Sequence, residues 1–378
     1  MKTTAPKPSA KPVKVEYSYL GRQFHDVDAI LEDIRALVKT GDFTLGAPVR
    51  EFEERFGAVI GAKFAVGVGS GTDALFLSLK ALGVGPGDEV ITAANTFVAT
   101  AGAISNIGAR VVFVDCDERF VIDPSKIEAA ITPRTKALLP VHWGSQPADM
   151  DAILKIAKKR GLPVVEDACQ SIDAAVGGKK CGAMGVCAGF SLHPLKNLNV
   201  WGDGGVITTN SEEMRDRLRL LRNHGMSSRD EYAFYAYNSR LDSLQAVVGN
   251  RMINDMKWIT DTRIKNAQSY DAAFKGISRI TLPKRSPKER HVFHLYQFLA
   301  EERDRLLAHL NKCGIEAKIH YPVPLHLQPA SKALGYKKGD FPVAESQAKA
   351  TITLPAHQHL TEEELTHVIR SVKEFYRA

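Results

Sequence analysis

From residue 45 to 210 the chain alternates short apolar runs with longer stretches in which apolar residues recur at helical spacing. The runs predict strands at 64–68, 89–93, 110–115, 136–141, 162–166, 187–191 and 205–209. Several carry β-branched residues at both odd and even positions, as strands covered on both faces do. Helices are predicted between them at 72–82, 97–106, 124–130 and 150–160. The last follows Asp149, a side chain suited to capping, and stops at Gly161. Such alternation builds a largely parallel sheet with helices on both faces, and ligands collect at the carboxyl ends of its strands.

Beyond residue 210 the rhythm changes. Segments 212–223 and 241–259 read as helices, the second continuing through 263–274, and a loop rich in Pro, Lys and Arg follows at 283–290. Residues 292–378 read strand–helix–strand–strand–helix, a small α+β domain. The expected division is a large α/β domain over 16–260, with a mostly parallel seven-stranded sheet, and a small domain over 261–378.

Composition narrows the function classes. The chain has 378 residues, 44% hydrophobic and 25% charged, the balance of a soluble globular protein. No run of 18 apolar residues occurs, so no membrane span is expected. Five cysteines without a CxxC pair suit a reducing compartment such as the cytoplasm, and no metal site is expected. The net charge of +7 belongs largely to residues 1–15, which hold four lysines and no acid. That segment is expected to be a disordered basic tail, without the apolar stretch of a secretory peptide. With the charge confined there and no nucleic-acid motif elsewhere, nucleic-acid binding is not expected.

Four segments fall where strands end or helices begin. Gly67–Ala74 (GVGSGTDA) places glycines before a helix; free N–H groups there can cradle a phosphate, although such turns are also common for purely structural reasons. In VVEDACQ (164–170), Asp167 closes an apolar strand and needs a partner: it either caps the next segment or pairs with a cation such as a protonated ring nitrogen. Glu166, on the opposite strand face, should meet packing or solvent, so that its substitution would be mild. In SLHPLKNL (191–198), Lys196 is either a solvated loop residue or a desolvated amine able to condense with an aldehyde. In YNSRLD (237–242), the polar residues before a long helix read as caps or as contacts. A phosphate cradle, an aldehyde-binding lysine and an acid for a pyridinium nitrogen are together the needs of pyridoxal phosphate chemistry.

Together these segments resemble the DegT/DnrJ/EryC1/StrS family of sugar aminotransferases. The matching stretches are GVGSGTDAL (67–75), GPGDEVITAANTFVATA (85–101), ITPRTKALLPVHWGSQPADMDAI (131–153), VVEDACQS (164–171), FSLHPLKNL (190–198), GDGGVITTN (202–210), RNHG (222–225), YNSRLDSLQA (237–246) and HYPVPLHLQPA (320–330), in family order. The resemblance implies a fold-type I enzyme using pyridoxal 5'-phosphate. Lys196 would bind the cofactor aldehyde and Asp167 the pyridine nitrogen. Gln170 would approach the phenolic side, Phe97 would stack on the ring, and Gly71, Thr72 and Ser191 would hold the phosphate. Asn238 would reach the cofactor phosphate of a neighbouring subunit, making a homodimer with shared sites, and His320 and Tyr321 would meet the substrate. The implied reaction moves an amino group from L-glutamate to a C3 or C4 keto group of a nucleotide-linked sugar, for surface polysaccharide, lipid A or a natural product. Cys169, Leu195 and Asn199-Val200-Trp201 depart from the commonest family pattern around the lysine, which bears on substrate choice rather than chemistry. Two other readings stand beside this one. Related sugar dehydratases carry histidine at the lysine position, which Lys196 disfavours, and a non-catalytic binding or regulatory protein would not need the full set.

Overall fold

The computed structural model describes residues 13–25 and 27–377. Seven strands form the central layer: β1 (Phe64–Val68), β2 (Glu89–Ala93), β3 (Arg110–Val114), β4 (Thr135–Leu139), β5 (Val165–Asp167), β6 (Cys187–Ser191) and β7 (Gly205–Thr209). Strands β3, β2 and β4 pair in parallel, as do β5 and β6. Single parallel bridges, Leu138 with Val164 and Val141 with Asp167, join the two groups. β7 runs antiparallel to both β6 and β1, giving the order β3-β2-β4-β5-β6-β7-β1. The expected sheet is therefore present, with one reversed strand.

Both faces are buried, and strand parity decides which core a side chain enters. Cys187 and Ile207 join one cluster with Leu75, Ile91, Ile104 and Trp143, whereas Phe190 and Val206 join another with Phe52, Phe56 and Ile259. Between β1 and β2 lies helix α1 (Gly71–Ala81); α2 (Val98–Asn106) follows β2 and α3 (Met150–Arg160) follows β4. The third begins at Asp149, whose side chain accepts the Ala152 N–H, and ends at Gly161 with φ +65°.

A third cluster gathers α4 (Met256–Phe274), α5 (Arg303–Lys312) and α6 (Glu362–Arg377) on β8 (Tyr296–Ala300) and β9 (Thr351–Leu354). Here the expectation needs correction. The order is strand–helix–helix–strand–helix, with the helix Pro342–Ala350 before β9. The missing strand is reduced to one bridge between Lys318 and Thr353. Pro322 and Pro324, which lack an N–H, follow within a few residues and end the pairing. The helix expected over 241–259 is likewise two pieces, Ser243–Met252 and α4, separated by a 3-10 turn at Ile253–Asp255. Val15, placed by expectation in the basic tail, is fully buried in the third cluster and pairs with Ile315. Residues 1–12 of that tail lie outside the described residues. Among the described residues no helix is long and apolar enough to cross a membrane.

Candidate active site

β1 delivers the chain into Gly69-Ser70-Gly71 at the start of α1. Ser70 caps the helix by accepting the Asp73 N–H at 3.0 Å, and its carbonyl accepts the Ala74 N–H at 2.9 Å. The N–H groups of Gly71 and Thr72 are left without a partner among the described residues, the arrangement of an anion cradle. Glycine is needed at 71 because a Cβ there would lie 2.6 Å from Ser191 Cβ. Ser239 pins the turn from the YNSRLD segment, accepting the Gly69 N–H at 3.1 Å and donating to Asp73 at 2.9 Å.

The end of β5 supplies two acids to opposite sides. Asp167, 5% exposed, accepts a hydrogen bond from Thr100 Oγ1 at 2.7 Å and one from the Cys169 N–H at 3.2 Å. It forms no ion pair among the described residues, so a buried carboxylate is left for a cation. Glu166, expected to meet packing or solvent, meets packing, and the packing is polar. It is fully buried and accepts from His142 Nε2 (2.9 Å) and from the N–H groups of Gly182, Met184 and Gly185 (2.8, 2.8 and 2.6 Å). Burial alone would raise its pKa, but the His142 imidazole and these N–H groups outweigh it and hold the carboxyl below its ordinary value. For His142, burial opposes charging, yet the Cys181 sulfur and Glu166 raise it from 6.5 to about 10. A substitution at Glu166 would therefore break a buried pair, with its expected cost in stability.

Lys196 sits on the loop 192–204 between β6 and β7. The loop is held at this residue: Tyr19 O–H donates to its carbonyl at 2.9 Å, and Asn199 Nδ2 does so at 3.2 Å. The amine itself has no hydrogen bond or ion pair among the described residues. Burial lowers its pKa from the ordinary lysine value, with Cys169 and Asp167 acting the other way. Burial, with Asp167 alongside, pushes the Cys169 thiol well up, so it stays a protonated, small apolar group.

A cavity of about 340 Å³ opens over these groups. Of the predicted residues, Gly71, Thr72, Phe97, Gln170, Ser191, Lys196, His320 and Tyr321 line it. Gln170 Oε1 accepts the Gly144 N–H at 2.7 Å. Phe97 is 46% exposed, with its ring 5.9 Å from that of Tyr321. His320 Nδ1 meets Thr353 Oγ1 at 3.0 Å, and burial with Lys196 and Lys318 nearby lowers it to about 4, so it is neutral at pH 7. Asn238 is not among the lining residues; it is exposed and pairs with Asn223 through a backbone bridge. Tyr17 and His294 also line the cavity but carried no sequence signal, and Thr100 reaches Asp167 from a helix whose spacing gives no hint of it. A larger groove of about 530 Å³ lies along the helices Asp28–Thr40 and Ala47–Ile60, where Arg251 is already paired with Asp33 and Arg55 with Glu51.

The residues present fit pyridoxal phosphate. Gly71 and Thr72 offer unpartnered N–H groups to the phosphate, Lys196 an unpartnered amine to the aldehyde, and Asp167 an unpaired carboxylate to the pyridine nitrogen. On a sheet of this order they define a pyridoxal-phosphate-dependent aminotransferase of mixed α/β fold. The profile of the DegT/DnrJ/EryC1/StrS aminotransferase family matches residues 25–373, and the chain belongs to that family. It is 43% identical over 351 residues to a pleiotropic regulatory protein of Geobacillus stearothermophilus, covering 92% of this chain and 94% of that one. It is 40% identical over 361 residues to the dTDP-3-amino-3,4,6-trideoxy-alpha-D-glucose transaminase of Streptomyces venezuelae, covering 93% and 95%. Among solved structures, S. venezuelae DesV in complex with a ketimine intermediate superposes with a TM-score of 0.94 at 39% identity, over 97% of this chain and 99% of that one. NtdA from Bacillus subtilis with bound cofactor PMP gives 0.91 at 30% identity, over 98% and 87%.

Proposed function

We propose that the protein transfers an amino group from L-glutamate to the keto group of a nucleotide-linked sugar, in cytoplasmic amino-sugar biosynthesis. The observation that carries this reading is the unpartnered Lys196 amine in one cavity with the Gly71–Thr72 cradle, above the unpaired Asp167. A regulatory protein that bound no cofactor would gain nothing from leaving a buried carboxylate and a desolvated amine unmatched. Lys196, rather than histidine, favours amino transfer over dehydration. The Streptomyces venezuelae relative is named for an amino group at C3, and a 3-keto sugar is the first substrate to test.

Bound pyridoxal phosphate would supply an electron sink for the carbanion formed at the donor's α-carbon. Asp167 would keep the pyridine nitrogen protonated, and Thr100 with the Cys169 N–H orients that carboxylate. Lys196 Nζ, its hold on a proton weakened by burial, would take the proton from the donor's α-carbon and later deliver one to the sugar carbon that receives the amino group. Phe97, at the cavity wall beside Tyr321, would stack on the cofactor ring.

The working unit in this reading is a homodimer with shared sites. Tyr232, Phe234, Tyr235 and Tyr237 form an exposed aromatic run beside the exposed Asn238, and Tyr235 is wholly exposed. Such a patch is what a second copy would cover. Incubating the enzyme with glutamate and 3-keto or 4-keto nucleotide sugars, followed by NMR of the product, tests the reaction. An aminated sugar is expected; cofactor binding with no amination of either series overturns the reading. Light scattering should give a dimer, and Asn238→Ala should weaken cofactor retention. A fully active monomer would refute shared sites.

A further inference from the structure

His294 lines the Lys196 cavity, and nothing so far uses it. Its main chain is firmly mounted: the N–H donates to Ser145 Oγ at 3.0 Å, and that hydroxyl donates to the Gln170 carbonyl. The ring is another matter. Neither nitrogen makes a hydrogen bond among the described residues, and Nδ1 is shut off from solvent. The two neighbouring cavity histidines differ, since His320 Nδ1 meets Thr353 Oγ1 and His193 Nδ1 accepts the Leu195 N–H at 3.3 Å.

The electrostatic surroundings are one-sided. Burial holds His294 well below the usual histidine range, and the charged and titratable groups acting on it are Lys196, Arg263, His320 and His193, with no carboxylate. Arg263 is 3% exposed and forms no ion pair among the described residues. Its Nη1 donates to the Phe293 carbonyl at 3.2 Å, its Nε to Gln358 at 3.0 Å, and its Nη2 has no partner. The guanidinium lies over the Tyr19 ring at 5.1 Å but has no counter-charge, which is costly for a buried cation, and its positive field reaches the unmatched His294 imidazole. Asp203 is the one carboxylate among the cavity's lining residues, and it is not among the groups acting on His294.

We infer that His294 is the contact for a carboxylate of the amino donor, its ring N–H donating to the carboxylate oxygen while Arg263, bonded to the Phe293 carbonyl next in the chain, adds positive potential. This rests on the aminotransferase reading above and adds where the donor's acid group is held. A nucleotide diphosphate shares the anionic chemistry, so the test separates the two. The holoenzyme is titrated by calorimetry with glutarate, which has glutamate's carboxylates but no amine to react, and separately with the bare nucleoside diphosphate. His294→Phe, which keeps the ring volume, is expected to weaken glutarate about tenfold or more and to raise KM for the amino donor with kcat little changed. His294→Gln, which keeps an N–H donor, should recover part of the loss, and diphosphate binding should not move. Unchanged glutarate affinity in His294→Phe overturns the inference, as does a loss confined to the diphosphate or an equal loss of both. Should wild-type enzyme aminate sugars from a different amino acid, the choice of glutamate fails, but the same KM shift against that donor still decides the role of His294.

Discussion

The two acids that end β5 stand in opposite circumstances. Glu166 faces a floor in which every lone pair it needs is met, by one imidazole and three backbone N–H groups. Asp167, one residue on, has no charged partner among the described residues and acts on Lys196, whose cavity holds several groups left open: the Lys196 amine, the Gly71 and Thr72 N–H groups and the His294 ring. Alternation along a strand thus divides labour between neighbours, with stability on one face and recognition on the other. A closed network rewards folding, whereas unmatched groups cost folding energy and are repaid when a ligand arrives.

The comparison is broken most severely at the open face. Lys196→Ala should lower turnover by roughly four orders of magnitude or more, since it removes both the cofactor linkage and the proton carrier. Its melting temperature without cofactor should stay close to wild type, because the amine supports no other group. Borohydride reduction of the wild-type holoenzyme followed by peptide mapping should mark Lys196, and a label on another lysine would refute the assignment. Asp167→Asn should retain bound cofactor, visible in its absorbance, while kcat falls by about two to four orders of magnitude. Near-normal turnover would mean that the carboxylate does not face the ring.

Glu166→Gln inverts the pattern. It leaves an acceptor oxygen but turns donors toward donors, and should cost about 3 kcal/mol of stability in urea denaturation, with kcat per folded molecule changed far less than in Asp167→Asn. The smallest effect is the pH dependence of the His142–Glu166 pair. His142 is raised from 6.5 to about 10, so its contribution is complete below pH 6.5 and is lost as pH climbs toward about 10. Wild-type melting temperature should therefore fall across that window, and the fall should be shallower in Glu166→Gln. Parallel profiles would show that the pair carries little of the stability.

How far each region was legible follows from what writes it. β1, β2, β6, β7 and the helix 150–160 occupy their predicted residues, because glycine, proline or a capping aspartate marks their ends. β5 begins three residues later than the apolar run implied, beyond Pro163, and extends to include Asp167. The lysine, the acid and the cradle stand out as motifs, since each is a side-chain type at a strand or helix terminus. The hub around Glu166 does not, because three of its donors are backbone N–H groups from 182–185, and an N–H has no letter of its own. His294 and Arg263 were silent for a related reason: their significance lies in partners they lack, and a missing contact is visible only in three dimensions.

The reversal of β7 has a further consequence for the lysine. In an all-parallel sheet the chain leaving β6 would cross over through a helix before re-entering. Here it turns back within 192–204 and pairs at once with the strand it has just left. Both ends of the loop are thus fastened to adjacent strands, a short closure whose entropy is lost once, at folding. At residue 196 the carbonyl is held by two hydrogen bonds, and the amine, four methylenes away, by none among the described residues. In the proposed reaction the amine would trade one bonding partner for another while its backbone stays still, its reach set by the length of one side chain.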